Sequence, residues 1–171
     1  MTRAKPREQA PPLQVDTLNE GRWDLADSHP QRFSLVVFYR GLHCPVCRGY
    51  LRELDRNVEA LGERGVEVIA ISGDTPDRAE EACREWKLER LNVGHGQSVE
   101  AMRKWGLFVS RGIKDDEPEQ FGEPGLFLVE ADGSLFYEAI NSMPFGRPPI
   151  AEILDGIDFV TDNDYPARGE A

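Results

Sequence analysis

The run Ser34-Leu35-Val36-Val37-Phe38-Tyr39 constrains the fold of this chain more than any other feature. A dense, apolar, β-favouring stretch with no polar alternation predicts a strand covered on both faces, inside a sheet layered by helices. It feeds directly into Arg40-Gly41-Leu42-His43-Cys44-Pro45-Val46-Cys47, after which Leu51, Leu54, Val58 and Leu61 recur on one helical face. Pro45 suits the first helical turn, where its missing N–H costs nothing. Gly62 and Gly65 end the helix. A buried strand therefore delivers a C-x-x-C pair to the start of a helix.

The rest of the chain repeats this plan. Leu13-Gln14-Val15 and Arg22-Trp23-Asp24-Leu25 flank the turn Asn19-Glu20-Gly21 and predict a leading hairpin. Residues 66–72 predict a second buried strand. Thr75 then caps a helix with Pro76 just inside it, and Ala79, Ala82, Cys83 and Trp86 share one face. A short strand at 91–93 and a helix from Ser98 to Trp105, closed by Gly106, form a mid-chain insertion. Residues 107–123 read as polar and irregular. Asp132-Gly133 joins two apolar runs as a hairpin, and Ile150, Ile153, Leu154, Ile157 and Val160 mark a last amphipathic helix.

Strand–helix–strand units make parallel neighbours through right-handed crossovers, and the late hairpin adds antiparallel strands. The expected fold is α/β, with a mixed central sheet flanked by helices. The expected organisation is a mobile Pro-rich tail over 1–12, one domain over 13–162 and a polar tail over 163–171. A chain of 171 residues suits one domain of this kind.

Composition excludes several partners. The formal net charge of −11 repels nucleic-acid phosphates and anionic lipid surfaces. No stretch approaches the ~20 apolar residues that span a bilayer. Three cysteines are too few for a disulfide-stapled secreted scaffold. A cytoplasmic protein is expected, in which a C-x-x-C is catalytic or metal-binding before it is a structural bridge.

Only a thiolate is nucleophilic, so a useful cysteine needs its pKa lowered from ~8.5 toward neutral. A helix start offers unpaired N–H donors and a partial positive charge. Cys44 stands at that position, and Cys47 lies one turn further in. This predicts Cys44 as the attacking sulfur and Cys47 as the resolving one. Arg40 and His43 add positive potential beside Cys44, His43 only when protonated; the plainer reading of each is a solvated loop residue. Half of a zinc site is the competing reading of the pair. Only Cys83, His29, His43 and His95 remain as ligands, scattered rather than clustered, so no metal is expected. Cys83, between Ala79 and Trp86, reads as a small buried hydrophobe.

With these residues in place, the segment 11–160 resembles the redoxin family of the thioredoxin-like superfamily, which includes the alkyl hydroperoxide reductase and thiol-specific antioxidant proteins. The resemblance is carried by residues 35–47, by Val68-Ile69-Ala70-Ile71-Ser72-Gly73-Asp74 and by residues 125–133. It implies a thioredoxin-like fold with an N-terminal β-hairpin and a mid-chain strand–helix insertion. It implies a thiol–disulfide oxidoreductase or peroxiredoxin-like antioxidant protein that uses Cys44 and Cys47 on a disulfide or hydroperoxide. Such a protein needs no cofactor. It needs a reducing partner such as thioredoxin or a small thiol, and such proteins often self-associate into homo-oligomers. The alternatives are a non-enzymatic redox sensor and a catalytically silent interaction module.

This chain also departs from the family pattern. Typical peroxiredoxins carry a proline and a threonine seven and three residues before the peroxidatic cysteine, where Val37 and Gly41 stand here. Pro124 takes the place of their later arginine, and Phe38 the place of the buried aspartate of thioredoxins. Slow peroxide reduction with persistent disulfide exchange is the implied outcome, with Arg40 a partial substitute. Thioredoxin-like proteins place a cis-proline facing the cysteine pair. The resemblance therefore predicts a cis Glu123–Pro124 bond, with Pro124 packed against the Cys44–Cys47 turn.

Overall fold

The computed structural model describes residues 3–171. Its strands are β1 (Gln14–Thr17), β2 (Arg22–Asp24), β3 (Phe33–Phe38), β4 (Val66–Ile71), β5 (Asn92–His95), β6 (Val109–Arg111), β7 (Gln120–Gly122), β8 (Gly125–Glu130) and β9 (Leu135–Ile140). The helices are α1 (Pro45–Arg56), α2 (Val58–Glu63), α3 (Pro76–Trp86), α4 (Val99–Lys104) and α5 (Ile150–Asp162). Seven strands form one sheet in the order β2-β1-β5-β4-β3-β8-β9. The expected α/β class, with a mixed sheet flanked by helices, is present. No helix of the described residues is long and apolar enough to cross a membrane.

β3 occupies the interior of this sheet. It runs parallel to β4, with Leu35 opposite Val68, and antiparallel to β8, with Val36 opposite Phe127. All six of its residues are buried, which is why its sequence lacks polar alternation. Phe33, Leu35 and Val37 pack on one face with Leu51, Leu54, Leu61, Trp86, Ile153 and Ile157. Val36 and Phe38 pack on the other with Ile69, Ile71, Met102, Trp105 and Phe127. Layers on both sides hold β3 rigidly, and its last residue sets the position of everything after it.

Three elements differ from the sequence reading. The helix expected to run to Leu61 is two helices. Asn57 sits between them at φ −105°, ψ 4°, and its side chain donates back to the Glu53 carbonyl. Such local side-chain bonding competes with helix continuation. The stretch 107–123 is not irregular throughout, because β6 and β7 pair antiparallel as a separate two-stranded ribbon. Within the expected mobile tail, the Arg7 and Ala10 amides donate to the carbonyls of Leu135 and Gly133. The guanidinium of Arg7 also caps the Ala167 carbonyl, so the two ends of the described chain meet.

Candidate active site

The turn after β3 is built to place Cys44. Gly41 has φ +136°, a region that side chains rarely enter. A Cβ there would stand 2.5 Å from Asp74 Oδ1, so only glycine fits. Asp74 follows β4, and its Oδ2 accepts the Leu42 amide at 2.9 Å. The Cys44 amide then donates to the Gly41 carbonyl at 3.1 Å and closes the turn. A strand neighbouring β3 thus holds the redox turn through one buried carboxylate.

Cys44 is the N-cap of α1 and Pro45 opens the helix, as the sequence predicts. The Cys44 sulfur accepts the Cys47 backbone N–H at 3.2 Å, doing for this helix what a serine oxygen does elsewhere. Both cysteines are free thiols. They are only 2% and 0% exposed, so an oxidant must enter the turn to reach them.

Arg147 completes the site. It lies in the loop between β9 and α5, and its Nη2 stands 3.5 Å from Cys47 Sγ. Its guanidinium carbon lies 4.4 Å over the Tyr50 ring, and the Tyr50 hydroxyl donates to the Pro148 carbonyl at 2.7 Å. Sequence reasoning missed this residue. One signal was available: Arg147 is the single charge between Glu138 and Glu152.

Burial alone would raise the Cys47 thiol. The Cys44 side-chain hydrogen bond and the Arg147 charge outweigh it and bring Cys47 down to about 6. The same shared hydrogen bond, and then burial, push the Cys44 thiol up. The pair therefore ionises once near neutral pH, and its second proton is held tightly. This differs from the expectation of a low pKa on Cys44 itself. The difference arises because the hydrogen bond shared by the two thiols puts the charge on Cys47, where Arg147, distant in the chain, favours it further.

The side chains of Arg40 and His43 flank the turn without a hydrogen bond to either sulfur, although the Arg40 backbone N–H helps to lower the Cys47 thiol. The Arg40 guanidinium is committed to Glu123 through Nε and Nη2, at 2.8 and 2.7 Å, and Ser110 donates to the same carboxylate at 2.6 Å. His43 packs edge-on against Phe121 of the ribbon, at 4.6 Å between rings. Burial, only partly offset by Asp74, lowers its pKa, so His43 is neutral near pH 7. Neither ring nitrogen has a partner among the described residues. Cys83 packs partly buried against the core, and burial pushes its thiol up to about 11.

The expected cis bond is absent: the described residues contain no cis peptide, and Glu123–Pro124 is trans. Two residues join the extended strands β7 and β8, and both are tied in place. The Glu123 amide donates to the Phe108 carbonyl and the Pro124 carbonyl accepts from Asn141. No reversal is needed there for a cis proline to serve. The Glu123 amide and the Pro124 carbonyl are thus both engaged within the protein.

The AhpC/TSA family profile matches residues 6–138. The chain belongs to the AhpC/TSA family. No curated protein matches it in sequence. Solved structures of similar fold include a peroxiredoxin-like protein from Aquifex aeolicus, at 17% identity and TM-score 0.75, covering 94% of this chain and 90% of that one. The reduced 2-Cys peroxiredoxin of Plasmodium vivax is 18% identical, with TM-score 0.76 and coverage of 96% and 84%. Mycobacterium tuberculosis AhpC is 14% identical, with TM-score 0.74 and 96% of each chain covered. At such identities the likeness is one of fold, and it agrees with the thioredoxin-like architecture of this AhpC/TSA chain.

Proposed function

We propose that this AhpC/TSA protein is a thiol-dependent oxidoreductase that reduces hydroperoxides and disulfides through Cys44 and Cys47. The observation that carries this reading is the geometry of the pair. Cys44 caps α1 and is hydrogen-bonded to Cys47, whose sulfur faces the Arg147 guanidinium.

The chemistry follows from that arrangement. Cys47 takes the Cys44 proton, and the Cys44 thiolate attacks the terminal oxygen of a hydroperoxide; the O–O bond breaks to leave a sulfenic acid, and the departing alkoxide takes a proton from solvent and leaves as the alcohol. Cys47 gives up its proton to the departing hydroxyl and attacks the Cys44 sulfur, so that water leaves and the disulfide forms. On a disulfide substrate the Cys44 thiolate displaces one thiolate, and Cys47 then resolves the mixed disulfide and releases the other. Each cycle leaves the protein two electrons poorer. Turnover therefore needs a reducing dithiol or two small thiols.

Gly41 and Pro124 offer no hydroxyl or guanidinium to a peroxide, and Arg40 is occupied by Glu123. Disulfide exchange is accordingly the faster of the two activities. A steady-state assay with hydrogen peroxide, an organic hydroperoxide and a protein disulfide tests the reading, comparing wild type with Cys44→Ser. Activity on at least one oxidant that is abolished in the variant supports it; equal activity in both overturns it.

A further inference from the structure

A groove of about 470 Å³ runs between the β8–β9 pair and α5, a size that suits a small ligand. Leu128, Phe136, Ile153 and Val160 make its lining apolar. Gly156 also lines it, from the interior of α5. Glycine weakens a helix interior relative to alanine. Yet a Cβ at this position would meet nothing within 4 Å, so no close packing calls for a glycine. What it provides is depth to the groove.

One end of the groove is positively charged. Arg147 lines it and has no carboxylate within 4 Å among the described residues. Its Nη2 faces Cys47 Sγ, its Nε donates to the Pro144 carbonyl, and its Nη1 is buried with no partner. α5 begins at the same end. Its N-cap is Pro149, which offers no side chain to the first-turn amides, so the partial positive charge of the helix start adds to that of the guanidinium. Glu152 is the one carboxylate among the lining residues, and it is exposed. The formal charge of −11 disfavours anions around the chain as a whole. An apolar slot that ends at an unneutralised cation is the local exception, and it is complementary to an apolar chain that ends in an anion.

We propose that the groove binds an unbranched apolar monocarboxylate, of the class of a medium-chain fatty acid, with its chain over Gly156 and its carboxylate at Arg147. A carboxylate there competes with the Cys47 sulfur for the same guanidinium. The ligand thus withdraws charge support from the redox pair without reacting with either cysteine, and thiol reactivity near neutral pH falls as the groove fills. This coupling rests on the dithiol reading of the pair; the binding does not.

Calorimetric titration of the full reduced chain tests the binding, with hexanoate, octanoate, decanoate and octan-1-ol as probes. Affinity should rise about fourfold for each added methylene, and octan-1-ol should bind about tenfold or more weakly than octanoate. In Arg147→Met the acid and the alcohol should bind alike. Gly156→Leu fills the groove and should weaken octanoate about tenfold or more, whereas Glu152→Gln removes a repelling charge and should tighten it. Equal binding of acid and alcohol to wild type, or octanoate binding unmoved by Gly156→Leu, overturns the site. If Gly156→Leu does not fold, Glu152→Gln decides, and a failure to tighten overturns it. Ultraviolet thiolate absorbance on the same samples reads the coupling, and octanoate should shift its midpoint to higher pH. A midpoint unmoved by bound octanoate overturns the competition for Arg147. Absence of any thiolate near neutral pH in the unliganded protein overturns the dithiol reading instead and leaves the binding result standing.

Discussion

Arg40 and Glu123 stand 83 positions apart in the chain and meet through two parallel hydrogen bonds beside the redox turn. Glu123 is buried, and Ser110 joins the ribbon to the same carboxylate. One ion pair thus ties the turn after β3 to the segment that leads into β8. Removing one partner of such a pair leaves a desolvated charge, at a cost of about 3 kcal/mol. Glu123→Ala should lower the urea unfolding free energy by that order, and Glu123→Gln by clearly less. Equal, small effects of both would show that the pair does not anchor the turn.

The commitment of Arg40 also bears on substrate. A guanidinium held by a carboxylate is a poor host for a peroxide oxygen. Stopped-flow oxidation of the dithiol by hydrogen peroxide should therefore be slow beside efficient peroxiredoxins, while exchange with a small disulfide stays fast. Peroxide rates matching those enzymes would refute this, and Arg40→Met would be the variant to examine next.

The shared charge of the thiols makes a prediction in pH. Folding lowers the Cys47 thiol from the ordinary 9 to about 6. An acid so lowered stabilises the fold above its unfolded pKa, and that contribution is lost as pH falls through the folded one. Stability should fall as pH drops from 9 toward 6. Cys44 is shifted the other way, so above pH 9 the unfolded thiol ionises where the folded one does not, and stability should decline again. Urea midpoints of wild type against Cys47→Ala across this range, with ultraviolet thiolate absorbance alongside, measure both limbs. Thiolate absorbance that appears only near ~8.5 would sink the assignment.

Gly41→Ala tests the turn. The φ of +136° and the 2.5 Å approach to Asp74 Oδ1 leave no room for a methyl group. The backbone strain alone costs about 1–3 kcal/mol, and displacing Asp74 sacrifices its bond to the Leu42 amide. Unfolding free energy should drop by at least that amount, and the thiolate pKa should rise because the Cys44 cap is disturbed. A variant as stable as wild type, with an unchanged titration, would contradict the geometry.

Local chemistry was the legible part of the site. The strand into C-P-V-C, the N-cap at Thr75-Pro76 and the Asp132-Gly133 hairpin are written in adjacent residues, and the structure holds all three. The parts that escaped depend on distant pairing. Asp55 reads as one polar residue on an amphipathic helix, yet it is buried and accepts the amides of Glu89, Arg90 and Leu91. Asp74 and Glu123 likewise become meaningful only once β4 and β8 lie on either side of β3. The ribbon was invisible because its strands are three residues each and gain their order from each other. The cis-proline expectation failed because it came from resemblance, whereas the local path from β7 to β8 requires no reversal.

The 100 positions between Cys47 and Arg147 have a consequence for synthesis. At about 5–20 residues per second, the cysteines leave the peptidyl-transferase centre some 5–20 s before the arginine that holds their charge. β8, which must dock against β3 to bring Glu123 to Arg40, also arrives late, after a long loop has closed. Until then Cys44 and Cys47 are ordinary thiols on a nascent chain, mostly protonated and slow to react. The order of translation therefore delays their reactivity until the scaffold that governs it has been made.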